Sequence, residues 1–302
     1  MVVHNVPSPK DFINSGLGFL NLAWDMICAP HYYLDNAGIF TLGEKESKAY
    51  WTAYLNEMKT TLVLIHQAIE FVLKGNIATI SPYLLIINKP KDYPKLNNKH
   101  FVNFADFNTI DSHDLPKIYN TFCEKQLDDK FRNHYERLRK FRNSVIHTVD
   151  PNLNITIKEL FILILETYTL LRLDEKWVEN RINYINTNVY NYAEEPDSGN
   201  YRLYYEFKFA ERYLSAKQKE KYFGFTKARR YICSNCLNDA FCNEFPFSAQ
   251  LEPNTKDSTN LVCRLCNENI RVIRKKCSSL SCKSNVLFED NTCAICFEKA
   301  KS

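Results

Sequence analysis

Glycine is scarce in this chain, with seven residues in 302. Neither G-x-G-x-x-G nor G-x-x-x-x-G-K occurs, which removes the glycine-rich phosphate cradles and the nucleotide folds built on them. Long apolar runs are missing too. The best candidate for a span, FILILETYTLLRL, is short and contains Glu166, whereas a spanning helix needs about 20 apolar residues. The N-terminal stretch MVVHNVPSPKDFINSG has no basic segment followed by an apolar core, so no secretory leader is read there. These absences predict a soluble, cytoplasmic protein with no membrane partner. Histidine is absent after His147, and the first 200 residues hold only Cys28 and Cys123. No set of histidines and carboxylates with an open metal position stands out, which argues against a metal hydrolase.

What the chain does have is placed unevenly. The other nine cysteines lie between Cys233 and Cys296. Nine clustered thiols do not serve disulfides in a reducing compartment, and their pairing points to metal. Cys233-x2-Cys236 and Cys263-x2-Cys266 are separated by 26 residues, and Cys277-x4-Cys282 and Cys293-x2-Cys296 by 10. Short spacers let both thiolates of a pair turn toward one centre, and a second pair completes a tetrahedron. The spacing therefore predicts two structural zinc ions, each held by four sulfurs with no open position. An interleaved pairing, in which the first and third pairs share an ion, stays open, and Cys242 is left over. Such a small, polar module would draw most of its folding energy from the metal.

Charge divides at the same place. Residues 1–200 carry 21 Lys+Arg and 24 Asp+Glu, while residues 201–302 carry 18 and 11. Two four-thiolate zinc sites would each add about −2, so the basic excess acts only locally. Lys227, Arg229 and Arg230 adjoin Tyr231, and Arg264, Arg271, Arg274, Lys275, Lys276 and Lys283 interleave with the cysteines. Cations beside aromatics suit a phosphate backbone and unstacked bases. A structural ribbon with a solvated surface explains the same pattern, and both readings stand.

Upstream, apolar residues recur at helical spacing. Helices are expected over 11–37 (with Pro30 a candidate break), 46–76 (stopped by Gly75 and Asn76), 115–124, 127–148 and 158–188. Ser81-Pro82 marks the start of a further element, and residues 86–115 read mostly as loop. Helices with one apolar stripe each bury one another in a bundle. The expected organisation is mainly α: a helical bundle over 1–190, a linker and basic aromatic connector over 191–230, and a cysteine-rich module over 231–302. The secondary structure of 201–225 is not legible from its pattern.

Two polar groupings interrupt the bundle's stripes. RNSVIH, residues 142–147, closes the charged helix. On an α-helix Asn143 and His147 share a face, and Arg142 is offset from His147 by about 140°. A histidine with an ordinary pKa serves as general acid or base. An arginine grips phosphate through a planar fork, and an asparagine orients either. In LVLIHQAIEFVLKG, residues 62–75, His66, Glu70 and Lys74 form a stripe at i, i+4 and i+8. If buried they need partners, and a bundle turning them toward RNSVIH would pair Glu70 with Arg139 or Arg142.

Those residues resemble the HEPN superfamily of helical-bundle ribonucleases and nucleotide-binding proteins. The resemblance rests on Arg142, Asn143 and His147 in RNSVIHT, and on Glu70, Lys74 and Ser81-Pro82 in IHQAIEFVLKGNIATISPYLLI. It covers roughly residues 10–190 and leaves the cysteine module outside the common pattern. It implies a metal-independent endoribonuclease acting on RNA in a toxin or antiviral defence system. By the resemblance Arg142 and His147 are the catalytic pair, Asn143 supports them and Glu70 orients Arg142. It also implies a homodimer with two motifs at one cleft, and a protein partner such as an antitoxin. The alternative is a non-catalytic nucleic-acid-binding or regulatory adaptor, with RNSVIH at a dimer interface and the zinc module choosing the partner.

Overall fold

A computed structural model describes residues 2–36, 44–87, 91, 93–95, 101–148, 153–171, 176–187, 198–226, 228–238 and 245–299. The fold is mainly α with a smaller C-terminal module containing β-strands, and the chain divides into two compact units, Met1–Leu173 and Asp174–Ser302.

In the first unit, α1 (Pro9–Asn36) and α2 (Glu44–Ala78) make the most extensive helix pairing. Their buried residues repeat at three and four: Leu20, Ala23, Trp24 and Ile27 on α1, and Leu62, Ile65, Ile69, Val72 and Leu73 on α2. α1 runs unbroken through Pro30, and α2 continues past Gly75 to Ala78. Gly75 is therefore not a stop signal. A Cβ built there would lie 2.6 Å from Ile13 Cγ1 and 3.0 Å from the Pro9 carbonyl. A Cβ on Gly16 would lie 2.8 Å from the Ala68 carbonyl. The two glycines let the helix backbones approach.

Ser81 accepts from the Tyr83 amide and starts a 3-10 turn over Pro82–Leu85, as Ser81-Pro82 suggested. Within the segment read as loop, β2 (Phe101–Asn103) pairs in parallel with β1 (Val2–His4). α3 (Leu115–Phe122) follows. α4 (Asp129–Asn143) begins at Asp128, whose carboxylate accepts from the Phe131 amide at 2.7 Å. It buries Phe131, His134, Tyr135 and Leu138. The helix expected to reach 148 changes character early: Ser144–Thr148 is a single π turn. α5 (Ile157–Leu171) opens on a capping box in which the Glu159 carboxylate accepts from the Thr156 amide at 3.0 Å and Thr156 Oγ1 accepts from the Glu159 amide at 3.2 Å. Such boxes satisfy otherwise orphaned donors. Phe161 of α5 meets Trp24 edge-on at 4.9 Å.

The single helix expected over 158–188 is two, because α6 (Trp177–Thr187) starts afresh after non-helical Lys176. In the second unit α6 packs on α7 (Ser198–Glu211) through a buried ion pair. Arg181 Nε and Nη2 donate to the two Glu206 carboxylate oxygens at 2.8 and 2.7 Å. α8 (Ala216–Phe223) ends on Gly224, which is left-handed at φ 75°. The aromatic, basic stretch that could not be read is thus helical. A five-stranded antiparallel sheet follows in simple sequence order: β3 (Tyr231–Ile232), β4 (Phe247–Leu251), β5 (Asn260–Cys263), β6 (Asn269–Ile273) and β7 (Leu287–Phe288). The short α9 (Ser234–Asn238) lies between β3 and β4.

Candidate catalytic cluster and candidate metal centres

α2 and α4 pack together in the first unit, and α2 also meets the π turn. Their contact gathers polar groups that an apolar interface would not tolerate unpaired. His66 is 1% exposed and Glu70 8%, so desolvation is costly for both, and among the described residues His66 Nε2 has no hydrogen-bond partner. His66 Nδ1 lies 3.6 Å from Glu70 Oε1, and its ring packs against Tyr135 at 5.5 Å. The Tyr135 hydroxyl donates to the Ser112 carbonyl at 2.7 Å.

The electrostatics follow from burial and from the arginines of α4. Burial, and after it the positive charges of Arg142 and Arg139, bring the His66 pKa down to about 4. His66 is therefore a neutral imidazole at pH 7. Burial raises the Glu70 pKa, while Lys74, the Ser112 side chain and Arg142 pull it back. Glu70 and Arg142 thus come within electrostatic reach across the helix pair. Arg139 is committed to its own helix, donating to Glu136 Oε2 from Nε at 3.1 Å and from Nη2 at 2.9 Å. Arg142 Nη1 donates to Asn143 Oδ1 at 3.0 Å, and both side chains are half-buried.

Of the four residues expected in a catalytic site, Glu70, Arg142 and Asn143 are brought into one neighbourhood. The side chain of His147 lies outside the described residues. Its backbone belongs to the π turn, so the 140° offset from Arg142, which assumes an α-helix through 148, does not apply. Arg142, on the last turn of α4, precedes the π turn, and His147 lies five positions after Arg142.

Ser112 and Tyr135 were not singled out from sequence. Ser112 sits in a loop with no pattern. Tyr135 reads as an ordinary core aromatic of the α4 stripe. A second buried histidine was missed for the same reason. His134 Nε2 shares a hydrogen bond with Thr167 Oγ1 at 2.7 Å, and its Nδ1 lies 3.7 Å from Glu166 Oε2. Burial sets the His134 pKa at about 4 despite Glu166.

In the second unit the cysteines form two quartets. Cys233, Cys236, Cys263 and Cys266 make one, and Cys277, Cys282, Cys293 and Cys296 the other, with the sulfurs of each within 4.8 Å of one another. The interleaved pairing is excluded, because the sulfurs of the first and second pairs gather in one cluster and those of the third and fourth pairs in the other. Cys242 lies outside the described residues.

Each knuckle turns its backbone amides onto its first sulfur. Cys236 N donates to Cys233 Sγ, Cys266 N to Cys263 Sγ and Ile295 N to Cys293 Sγ, all at 3.4 Å. The Sγ–Sγ separations are 3.6 Å for Cys233–Cys266, 3.8 Å for Cys236–Cys263, and 3.7 Å for both Cys277–Cys296 and Cys282–Cys293. Four sulfurs each about 2.3 Å from one centre stand about 3.8 Å apart at the corners of a tetrahedron. The donor set and the spacing are those of potential structural zinc sites. The crowding has an electrostatic corollary. Hydrogen bonds from Cys233 and Cys236 hold the Cys263 thiol far below its ordinary range, while its neighbours push Cys236 far above it. Without a cation the four sulfurs cannot all ionise.

No family model, no curated protein and no solved structure matches this chain.

Proposed function

We propose that the protein is a metal-independent endoribonuclease whose chemistry is carried by the helical unit. The observation that supports this most is the α2–α4 junction, where buried Glu70 faces the charge of Arg142 and Arg142 is bonded to Asn143. A half-buried guanidinium held by Asn143 is a planar, permanently charged group of the kind that suits a phosphodiester.

In this reading His147 takes the proton of a ribose 2′-OH, or delivers one to the departing 5′-oxygen. The 2′-oxygen forms a bond to the adjacent phosphorus as the P–O5′ bond breaks. The products are a 2′,3′-cyclic phosphate and a 5′-OH. Arg142 holds the phosphate and offsets the charge growing on its oxygens, Asn143 fixes the Arg142 fork, and Glu70 orients Arg142 across the helix pair. His66 is too acidic an imidazolium to share proton transfer at neutral pH, and its role is to keep Glu70 in place.

The cysteine quartets would hold two zinc ions with every coordination position filled. The metal supplies folding energy there rather than a nucleophile. The bundle, taken as 1–190, would act as a homodimer with two RNSVIH segments at one cleft, as the HEPN resemblance implies. RNA is the substrate, in a toxin or defence setting with a protein antitoxin as partner, and residues 231–302 would select the RNA.

A substrate carrying a single 2′-deoxyribose at the cleavage position tests the chemistry. It should bind and remain intact, since its nucleophile is missing. Cutting at that position rules out 2′-OH attack, and binding without cleavage of any RNA leaves the adaptor reading.

A further inference from the structure

Between α7 and the start of β4 the second unit has a cavity of about 330 Å³ walled by aromatic rings. Phe207 forms its floor and is itself wedged against Phe223 and Phe225, each with ring centroids at 5.0 Å. Tyr204 donates from its hydroxyl to the Phe245 carbonyl at 2.7 Å, which fixes the chain entering β4 on α7. Phe245 and Phe247 complete the wall. Phe245 is 39% exposed at the mouth.

Its ring lies 5.3 Å from that of Phe297, also 38% exposed. Phe297 is the residue directly after Cys296, held in a left-handed conformation at φ 60°. Its amide donates to the Cys293 carbonyl at 3.0 Å. The second cysteine quartet therefore sets the position of an exposed ring at the cavity mouth.

The polar groups of the cavity are few and convergent. Arg230 donates to both carboxylate oxygens of Glu211, and Lys219 donates to Glu211 Oε1 at 3.1 Å. The Arg230 guanidinium stacks over Phe225 at 3.9 Å. Burial works against the Glu211 charge, but Arg230 and Lys219 hold its pKa below the ordinary carboxylate value. Among the described residues Oε2 accepts only from Arg230, so it retains a lone pair for one more donor. Lys208 stands over the Tyr204 ring at 5.7 Å.

We propose that this cavity, with the Phe245–Phe297 pair at its mouth, receives one unstacked base of single-stranded RNA. The proposal rests on the ribonucleic reading of the protein. Flat aromatic faces stack a base with little regard to its identity. A carboxylate acceptor inside the cavity adds a preference for bases that carry an amino group over uracil, whose carbonyl oxygens flank its only N–H. Arg230 and Lys219, both bonded to Glu211, together outweigh its single charge, which disfavours a bare ammonium ligand and suits one that brings a phosphate.

The test uses the full, zinc-loaded chain and hexanucleotides with 2′-O-methyl ribose, which cannot be cut by 2′-OH attack. One probe carries a single 2-aminopurine, whose fluorescence is quenched by stacking. Binding should quench it. Phe245→Leu keeps apolar volume but removes the π-face; with unchanged zinc content it should bind about tenfold or more weakly and lose the quenching. Phe245→Trp should retain both. The cytidine hexamer should bind more tightly than the uridine hexamer. Equal binding and quenching by folded Phe245→Leu overturns the proposal, as does a uridine hexamer that binds as well as cytidine, or no binding of any hexamer. Cleavage of unmodified RNA by the same preparations reads the ribonuclease proposal separately. Cutting retained without quenching removes the pocket alone, and quenching without cutting removes the catalytic reading alone.

Discussion

His66 Nδ1 stands 3.6 Å from Glu70 Oε1, one turn along α2, with both side chains withdrawn from water. The burial of His66 makes the helical unit sensitive to acid. The folded-state pKa of His66, about 4, is below the ordinary 6.5. The unfolded chain therefore binds more protons between those values, and stability is lost as pH falls through that window. His66 alone should cost about 2 kcal/mol between pH 7 and pH 5. His134, also held at about 4, acts in the same direction. Glu70, with its pKa raised, acts oppositely as it takes up its proton. Urea unfolding at the two pH values should show the loss, His66→Gln should flatten it, and Glu70→Gln should steepen it. A pH-independent midpoint would contradict the buried-neutral assignment.

Much of this junction was legible beforehand. The i, i+4 recurrence of His66, Glu70 and Lys74 inside an apolar run marked a polar stripe that needed partners, and RNSVIH marked the arginine. Two things were not. Ser112, whose side chain draws the Glu70 pKa back down, sits in a segment with no period. The π turn leaves no mark in composition, because only backbone geometry distinguishes it from another turn of α-helix. α7 was missed because aromatics lie on all its faces and blur any stripe. The four-cysteine sets were readable from spacing, whereas the choice between adjacent and interleaved pairing needed the positions of the sulfurs.

Zinc content should be two per chain, and the two ions should be lost separately. Cys263→Ser should lose the first and Cys293→Ser the second, since the quartets share no sulfur. Elemental analysis of purified protein checks this. One ion or none in the unaltered chain contradicts the two-site arrangement.

The glycines of the α1–α2 contact give an inverted helix-propensity result. Gly75→Ala would normally stabilise a helix by up to about 1 kcal/mol. Here the added Cβ meets Ile13 and the Pro9 carbonyl, and overpacking of this kind costs about 1–3 kcal/mol. Net destabilisation is expected in thermal unfolding, and a raised midpoint would show that the helices can part at no cost.

Arg181 is fully buried and held by Glu206 through two hydrogen bonds. Arg181→Met should leave the Glu206 charge without its main partner and destabilise the second unit by about 3–5 kcal/mol. Arg181→Met combined with Glu206→Leu should recover much of that loss. Equal stability of the single and double variants, measured by denaturant titration, would mean that the pair does not interact as described.

The proposed chemistry is tested most directly by cutting a defined RNA in excess EDTA. Unaltered protein and folded His147→Ala are compared, zinc is measured in the same samples, and the product ends are identified. Cleavage by the unaltered protein should persist with the module's zinc still bound, leaving 2′,3′-cyclic phosphate and 5′-OH ends. His147→Ala should be slower by about 100-fold or more, the usual worth of a positioned proton-transfer group. Cleavage by His147→Ala at the unaltered rate, or products ending in 3′-OH and 5′-phosphate, would contradict the assignment of the histidine and the mechanism with it.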